Sequence, residues 1–229
     1  MTRTDPFGDE AEARLSEQVT GDRRHGIVPA DWDERYRSRE QLFSGNPNGV
    51  LVTEVADLPP GQALDVGCGE GGDALWLARR GWAVTAVDIS RTALERAAAA
   101  GADVSGRVAW TRADLTATTL PAGAFDLVSA QYFPLRRQPG HGALRTLLAT
   151  VAPGGTLLVV GHALPDDAYP EYYRPTEIAA LLGAGWTVLI DETRERTVPP
   201  PEGTHHTHDT ILRARRLSTV DLKDSATVR

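Results

Sequence analysis

This sequence predicts an α/β fold: a doubly wound, mostly parallel sheet of seven strands, with an antiparallel last strand and helices on both faces. Three observations predict it. From residue 63 onward, short apolar runs alternate with segments of helical periodicity, the rhythm of strand-helix-strand crossovers. The first run, Ala63-Leu64-Asp65-Val66, passes directly into a glycine-rich turn and then a helix. The last two runs, Trp186–Ile190 and Thr210–Arg215, are joined by a Pro-rich loop with no helix between them. That connection suits a hairpin, so the parallel sheet is expected to close on an antiparallel edge strand.

The elements follow in order. Asp31–Leu42 places Trp32, Tyr36 and the neighbouring Phe43 near helical spacing, with Asp31 as a candidate N-cap. Pro47–Asp57 reads as a second helix, broken by Pro59-Pro60-Gly61. After the first strand, Gly72–Arg80 is a helix, Ala83–Val87 a strand ending at Asp88, and Thr92–Ala100 a helix capped by Ser90 and ended by Gly101. Val108–Thr111 and Phe125–Ala130 are strands, the latter with the continuous apolar run of a buried parallel position. Gly142–Val151 is a helix stopped by Pro153-Gly154-Gly155, and Thr156–Val160 is the fifth strand. Thr176–Leu182 is a helix capped by Thr176 after Pro175. Residues 1–30 read as a flexible tail or lid, 31–217 as one catalytic domain and 218–229 as a flexible tail.

Composition narrows the function. The 229 residues carry a net charge of −7, which argues against a broad phosphate-binding surface and so against bulk nucleic acid as a partner. The single cysteine, Cys68, excludes an intrachain disulfide and suits a reducing compartment. The N-terminal stretch lacks the apolar core of a secretory signal, and no apolar run approaches the roughly 18 residues of a membrane span, so no membrane and a cytoplasmic location are expected.

The chemistry concentrates around Gly67-Cys68-Gly69-Glu70-Gly71-Gly72. Glycines let the chain turn tightly and let a ligand approach the main chain. Gly67, Gly69 and Gly72 match the dinucleotide fingerprint literally, but such a turn serves several adenosine ligands. The acids sharpen the reading. Asp88, at the end of the second strand, can accept both hydroxyls of a ribose. Asp114, after the third strand, can accept from an adenine amine. Asp65, just before the turn, would repel a pyrophosphate but suits an ammonium group. The set favours a zwitterionic adenosine ligand over NAD.

The strings LDVGCGEG, VTAVDIS, RADL and FDLVSAQY resemble, in order and spacing, the successive motifs of class I S-adenosylmethionine-dependent methyltransferases, from about Trp32 to Arg216. That resemblance implies a Rossmann-like domain. It also implies cofactor contacts from Asp65, Gly67, Cys68 and Gly69; from Asp88 and Ile89; from Asp114 and Leu115; and from Ala130, Gln131 and Tyr132. Trp32-Asp33-Glu34-Arg35-Tyr36 and Asn46-Pro47-Asn48 are similar to the opening of a tellurite-resistance and thiol-methylating branch, where the first helix folds over the cofactor. Trp32 and Tyr36 are then cofactor contacts, or alternatively simple core residues.

Acceptor contacts are expected above the carboxyl ends of the strands. Candidates are Tyr132, Phe133 and Arg136; His162 with Tyr172 and Tyr173; and the loop bearing His205, His206 and His208. His162 and Tyr132 are the candidate catalytic residues, and His206 a candidate substrate contact. The histidine cluster also fits a solvated strand end, and with no evident third ligand no metal is expected. Tyr172 and Tyr173 read as part packing and part pocket wall, and Arg136 and Arg137 equally as a solvated loop. Cys68 reads as a small packing residue at the cofactor. The expected activity is methyl transfer by in-line displacement to a small molecule, favouring a thiol. Nitrogen or oxygen acceptors, an NAD-dependent oxidoreductase and a non-catalytic binding protein are the alternatives. A monomer and a homodimer both fit.

Overall fold

The computed structural model describes residues 29–115, 117–165, 168–196, 207–218 and 221. Within them the chain runs α1 (Pro29–Arg37), α2 (Gly49–Val55), β1 (Gln62–Val66), α3 (Gly72–Arg79), β2 (Ala83–Asp88), α4 (Arg91–Ala100), β3 (Val108–Arg112), β4 (Phe125–Gln131), α5 (Gly142–Thr150), β5 (Val151–His162), α6 (Pro175–Leu181), β6 (Trp186–Glu195) and β7 (His208–Arg216). The seven strands form one sheet in the order β3-β2-β1-β4-β5-β7-β6. All neighbours are parallel except β7, which is antiparallel to both β5 and β6. The strand order reverses between β1 and β4. That is the switch point above which doubly wound sheets hold ligands.

Alternation along the strands builds two cores. Leu64 and Val66 of β1, Val128 and Ala130 of β4, and Leu157 and Val159 of β5 pack against Leu144 and Leu147 of α5 and Ile178 of α6. Ala63, Leu127, Leu158 and Val160 face the other way, onto Leu51 of α2, Leu77 of α3 and Leu94 of α4. Burial of apolar surface on both faces fixes the register of each strand.

Several boundaries differ from expectation, each for a local reason. The antiparallel strand is the last in sequence but not the edge: β7 lies inside the sheet, and β6 takes the edge. β6 continues to Glu195 because its polar end is held by main-chain pairing to β7, which needs no apolar side chains at an edge. β5 begins at Val151, since Pro153-Gly154-Gly155 forms an irregularity within a strand, where the pairing jumps from Val151 to Thr156. α1 starts at Pro29, so Asp31 lies in its first turn and is not an N-cap, and it ends at Arg37. Arg174 rather than Thr176 caps α6: Pro175 opens the helix, and Glu177 accepts from the Arg174 amide at 2.9 Å. The Ser90 cap of α4 is as expected, its hydroxyl accepting from the Ala93 amide at 3.2 Å. Most of the expected tails lie outside the described residues.

Candidate functional site

The glycine turn leaves β1 at the switch point. The Gly67 and Cys68 amides donate to the Val87 carbonyl, at 2.8 and 3.0 Å, which fastens the turn to the end of β2. Gly67 and Gly69 have φ of +72° and +52°. A side chain would also lack room: a Cβ on Gly67 would lie 2.6 Å from the Phe133 ring, and one on Gly69 2.9 Å from the Tyr36 hydroxyl. Phe133 and Tyr36 therefore stand on the turn from two sides. This places both sequence-predicted aromatics at the candidate cofactor crevice.

Three buried carboxylates surround the turn. Asp65 is 2% exposed, and its Oδ2 has no hydrogen-bond partner. Burial, with Asp73 and Asp88 nearby, pushes its carboxyl well above the ordinary aspartate range, against a bond accepted from the Ala74 amide. An orphaned, enclosed carboxylate oxygen is costly, and an ammonium group is the partner it lacks. Asp88 Oδ2 accepts from the Gly69 amide at 2.9 Å, and Oδ1 from the Ser90 amide at 2.8 Å. Each oxygen keeps a second lone pair for a ribose hydroxyl. Burial raises the Asp88 carboxyl too. Asp73, the third acid, accepts from the Asn48 amide at 2.6 Å and from its side chain at 2.8 Å. The residues present thus fit S-adenosylmethionine: Asp65 for the ammonium, the glycine turn for the methionine portion and Asp88 for the ribose. Ile89 and Asp114 are half-buried at the adjoining strand ends, and Leu115 is buried in the core beside them. Cys68 is buried, and burial beside Asp65 and Asp88 pushes its thiol up, which suits packing and not nucleophilic chemistry.

α1 and the segment that follows it are fastened by acids that sequence reasoning did not single out. Asp33 accepts from the Ser90 hydroxyl and the Thr92 amide, at 2.6 and 3.0 Å. Glu70, inside the glycine turn, accepts from the Leu42 and Phe43 amides at 3.0 Å each and from Arg96 at 2.8 Å. Tyr36 is buried, with Trp32 and Phe43 rings 6.1 Å away. Trp32 is half-buried beneath the Arg35 guanidinium.

A second cluster stands beside the switch point, at the carboxyl ends of β4 and β5. Tyr132 follows β4 with φ +53°, an uncommon backbone for a tyrosine, while its amide still donates to Val160 at 2.7 Å. Its ring stacks on His162 with centroids 4.5 Å apart, and the Arg196 guanidinium lies 5.3 Å from its centroid. Asp209 lies nearby, 2% exposed, with the Arg196 guanidinium 3.6 Å from its Oδ1, an oxygen that has no hydrogen-bond partner; burial and this neighbouring carboxylate raise the Tyr132 phenol. Asp209 pairs in register with His162 on one side and Arg194 on the other. Gln131 is buried and donates to the Ser129 hydroxyl at 3.0 Å, its own oxygen lacking a partner. Ala130 is buried beneath it.

The remaining acceptor candidates separate. Tyr173 is a core residue, 7% exposed, with its hydroxyl on His141 and the Arg137 guanidinium over its ring. This is the packing side of its expected double role. Arg137 is engaged by the Pro170 carbonyl and Glu177. Arg136 pairs through its backbone with Tyr172, and both are half-buried. His208 is exposed, while His205 and His206 lie outside the described residues. Among the described residues no group of three or more His, Cys, Asp or Glu is placed to hold a metal, and no helix is long and apolar enough to cross a membrane.

Comparison with known proteins agrees with this geometry. A family model described as a methyltransferase domain matches residues 63–155. An uncharacterized methyltransferase of Mycobacterium tuberculosis (strain ATCC 25618 / H37Rv) is 41% identical over 156 residues, 68% of this chain and 78% of the relative. A solved structure described by the conversion of a disulfide bond into a thioacetal group during echinomycin biosynthesis superposes with a TM-score of 0.64. It is 25% identical and covers 86% of this chain and 96% of its own. The N-methyltransferase NodS of Bradyrhizobium japonicum, in complex with S-adenosyl-L-homocysteine, shares the fold at a TM-score of 0.64 and 18% identity, covering 83% of this chain and 99% of its own.

Proposed function

This chain belongs to the class I S-adenosylmethionine-dependent methyltransferases, and from that premise we propose that it methylates a thiol of a small molecule at the Tyr132–His162 end of the crevice. The observation that carries the reading is the stack of Tyr132 on His162 at 4.5 Å with Arg196 over the same phenol. A guanidinium and an imidazole at one wall favour a thiolate, and a thiol with an ordinary pKa of about 8.5 needs little more. The bound cofactor supplies a methyl already activated on a sulfonium. The protein therefore has to orient the acceptor sulfur in line with it and exclude water. Phe133 and Tyr36 on the glycine turn, and the buried Ala130 and Gln131 below, form the enclosing wall. The solved structure described by disulfide-to-thioacetal conversion adds support for sulfur as the acceptor. Net charge of −7 supports a small acceptor over nucleic acid.

Calorimetry with S-adenosylmethionine, S-adenosylhomocysteine and NAD tests the cofactor half. Binding is expected for the adenosyl ligands alone, and Asp88→Ala is expected to abolish it. A screen of thiols, amines, phenols and carboxylic acids then tests the acceptor. Faster turnover of an amine or phenol than of any thiol would overturn the sulfur assignment.

A further inference from the structure

Asp209 is a buried carboxylate that the cofactor does not reach. It lies near the start of β7, three places from β1 in the sheet and so about 14 Å from Asp65 across the strands. A cofactor with its ammonium on Asp65 and its ribose on Asp88 of β2 runs in the opposite direction. Asp209 shares a face of the sheet with His162 and Arg194, its register partners on β5 and β6. It is 2% exposed, and its Oδ1 has no hydrogen-bond partner. Arg194 is engaged elsewhere, 2.6 Å from Glu54 and 3.2 Å from Glu192. The cation that faces Asp209 is Arg196, 3.6 Å from Oδ1, an ion pair too long for a hydrogen bond, and the Arg196 Nε is itself enclosed without a partner. Two opposite charges are thus taken out of water without bonding to each other, which is costly for both.

We propose that Asp209 and Arg196 together recognise the head group of an amino acid, and that the methyl acceptor is a small thiol carrying both an ammonium and a carboxylate. The inference rests on the reading of Tyr132 and His162 as the acceptor wall. An ammonium supplies the N–H donors that the Asp209 carboxylate lacks, and a carboxylate matches the planar fork of the Arg196 guanidinium. Charge decides between this and a singly charged acceptor. The two side chains sum to zero. A lone ammonium on Asp209 would be repelled by Arg196, and a lone carboxylate on Arg196 by Asp209. A zwitterion enters with alternating signs and keeps the enclosed site neutral. The position also fits. Arg196 lies 5.3 Å from the centroid of the Tyr132 ring, which stacks on His162, so a head group held there leaves its sulfur at the wall. An ammonium within the acceptor favours the ionised sulfur, in keeping with attack by a thiolate.

Calorimetry on the protein loaded with S-adenosylhomocysteine reads this site without turnover, because a thiol can occupy the acceptor position but receives no methyl group. The probes are L-cysteine, 2-aminoethanethiol, 3-mercaptopropionate and 2-mercaptoethanol. L-cysteine is expected to bind about tenfold or more tighter than the other three, the effect of one charge-assisted hydrogen bond. Asp209→Asn is expected to erase its advantage over 3-mercaptopropionate, which lacks the ammonium, and to leave 2-mercaptoethanol unchanged. Arg196→Lys, which keeps the charge and loses the fork, is expected to weaken L-cysteine and 3-mercaptopropionate while sparing 2-aminoethanethiol. Circular dichroism and S-adenosylhomocysteine affinity confirm that each variant is folded. Equal affinities for the four probes in the unaltered protein overturn the proposal, and so does an Asp209→Asn protein that weakens all four alike. Turnover with S-adenosylmethionine separates the two readings. Thiols methylated with no preference for L-cysteine sink this inference alone. An amine or phenol methylated faster than any thiol, beside an intact binding preference for L-cysteine, sinks the sulfur assignment and leaves the head-group site standing.

Discussion

The Ser90 hydroxyl donates to Asp33 Oδ1 at 2.6 Å, across 57 positions of sequence. Through this bond the residue that caps α4 also anchors α1. Ser90 donates its amide to Asp88 as well, so Asp33, Ser90 and Asp88 form one chain of contacts. Burial works to raise the Asp33 carboxyl, but the Ser90 and Thr92 bonds and the Arg37 charge hold it below the ordinary range. Such a depressed acid stabilises the clasp above its ordinary pKa and loses that contribution as pH falls through the lowered value.

Asp33→Ala removes the acceptor and leaves the Thr92 amide unsatisfied at the first turn of α4. Loss of charge-assisted bonds of this kind costs about 1.5–3 kcal/mol. Part of that cost is expected in cofactor binding, because α1 carries Tyr36 onto Gly69. S-adenosylhomocysteine affinity should fall by roughly five- to twentyfold. Asp33→Asn, which keeps an acceptor oxygen, should recover most of it. Equal affinity in Asp33→Ala and the unaltered protein would mean that α1 does not close on the cofactor.

The buried acids at the glycine turn predict a proton linkage. Burial and the neighbouring Asp73 and Asp88 raise Asp65 well above its ordinary value of 3.8. Only the ionised carboxylate pairs with an ammonium, so cofactor affinity should climb as pH rises toward and through the raised value, with a proton released on binding. Stability of the ligand-free protein runs the other way. An acid raised in the folded state contributes stability that is complete below the ordinary value and lost as pH rises through the folded one. The thermal shift on adding S-adenosylhomocysteine should therefore grow with pH over that window. Calorimetry in buffers of different ionisation enthalpy reads the proton directly, and Asp65→Asn should abolish it. Identical heats in all buffers would remove Asp65 from the ammonium site.

The glycine turn and the acid at the end of the next strand were legible because their demands are local. A strand, a turn with glycines at φ +72° and +52° and an acid at the end of the next strand are adjacent in sequence, and steric need dictates residue type. Asp209 was not legible. Its meaning comes from lying opposite His162 in an antiparallel pair and beneath a tyrosine 77 positions earlier, which no periodicity encodes. Asp33 and Glu70 sat inside quoted motifs, yet their partners are main-chain amides, and an amide leaves no mark in a sequence. A glutamate inside a glycine turn, where small residues are the rule, was the available hint. The fold's main surprise, β7 inserted beside β5, reflects the same limit: hairpin formation was readable, but which of its two strands faces the parallel sheet depends on the apolar Ile211-Leu212 pair being buried on both faces.

Glu54 predicts where the hairpin is held. It extends from α2 between two guanidiniums, at 2.6 Å from Arg194 and 3.3 Å from Arg213, and is itself buried. The Nε groups of both arginines are enclosed without a hydrogen-bond partner; Glu54 is the carboxylate they share, and Arg194 has a second one in the exposed Glu192 at 3.2 Å. Removing one member of a buried ion pair leaves the other charge uncompensated, which typically costs about 3–5 kcal/mol. Both guanidinium side chains keep some contact with water, at 29% and 23% exposure, so Glu54→Gln is expected to cost about 2–3 kcal/mol. Urea unfolding should show a lower midpoint with an unchanged slope. Replacing all three, as Glu54→Leu with Arg194→Met and Arg213→Met, removes the buried charges together and should restore most of the loss. If Glu54→Gln is neutral, the two arginines must be solvated by another route, and the attachment of α2 to the β6–β7 hairpin rests on the apolar contacts of Val50, Leu51 and Ile190 alone.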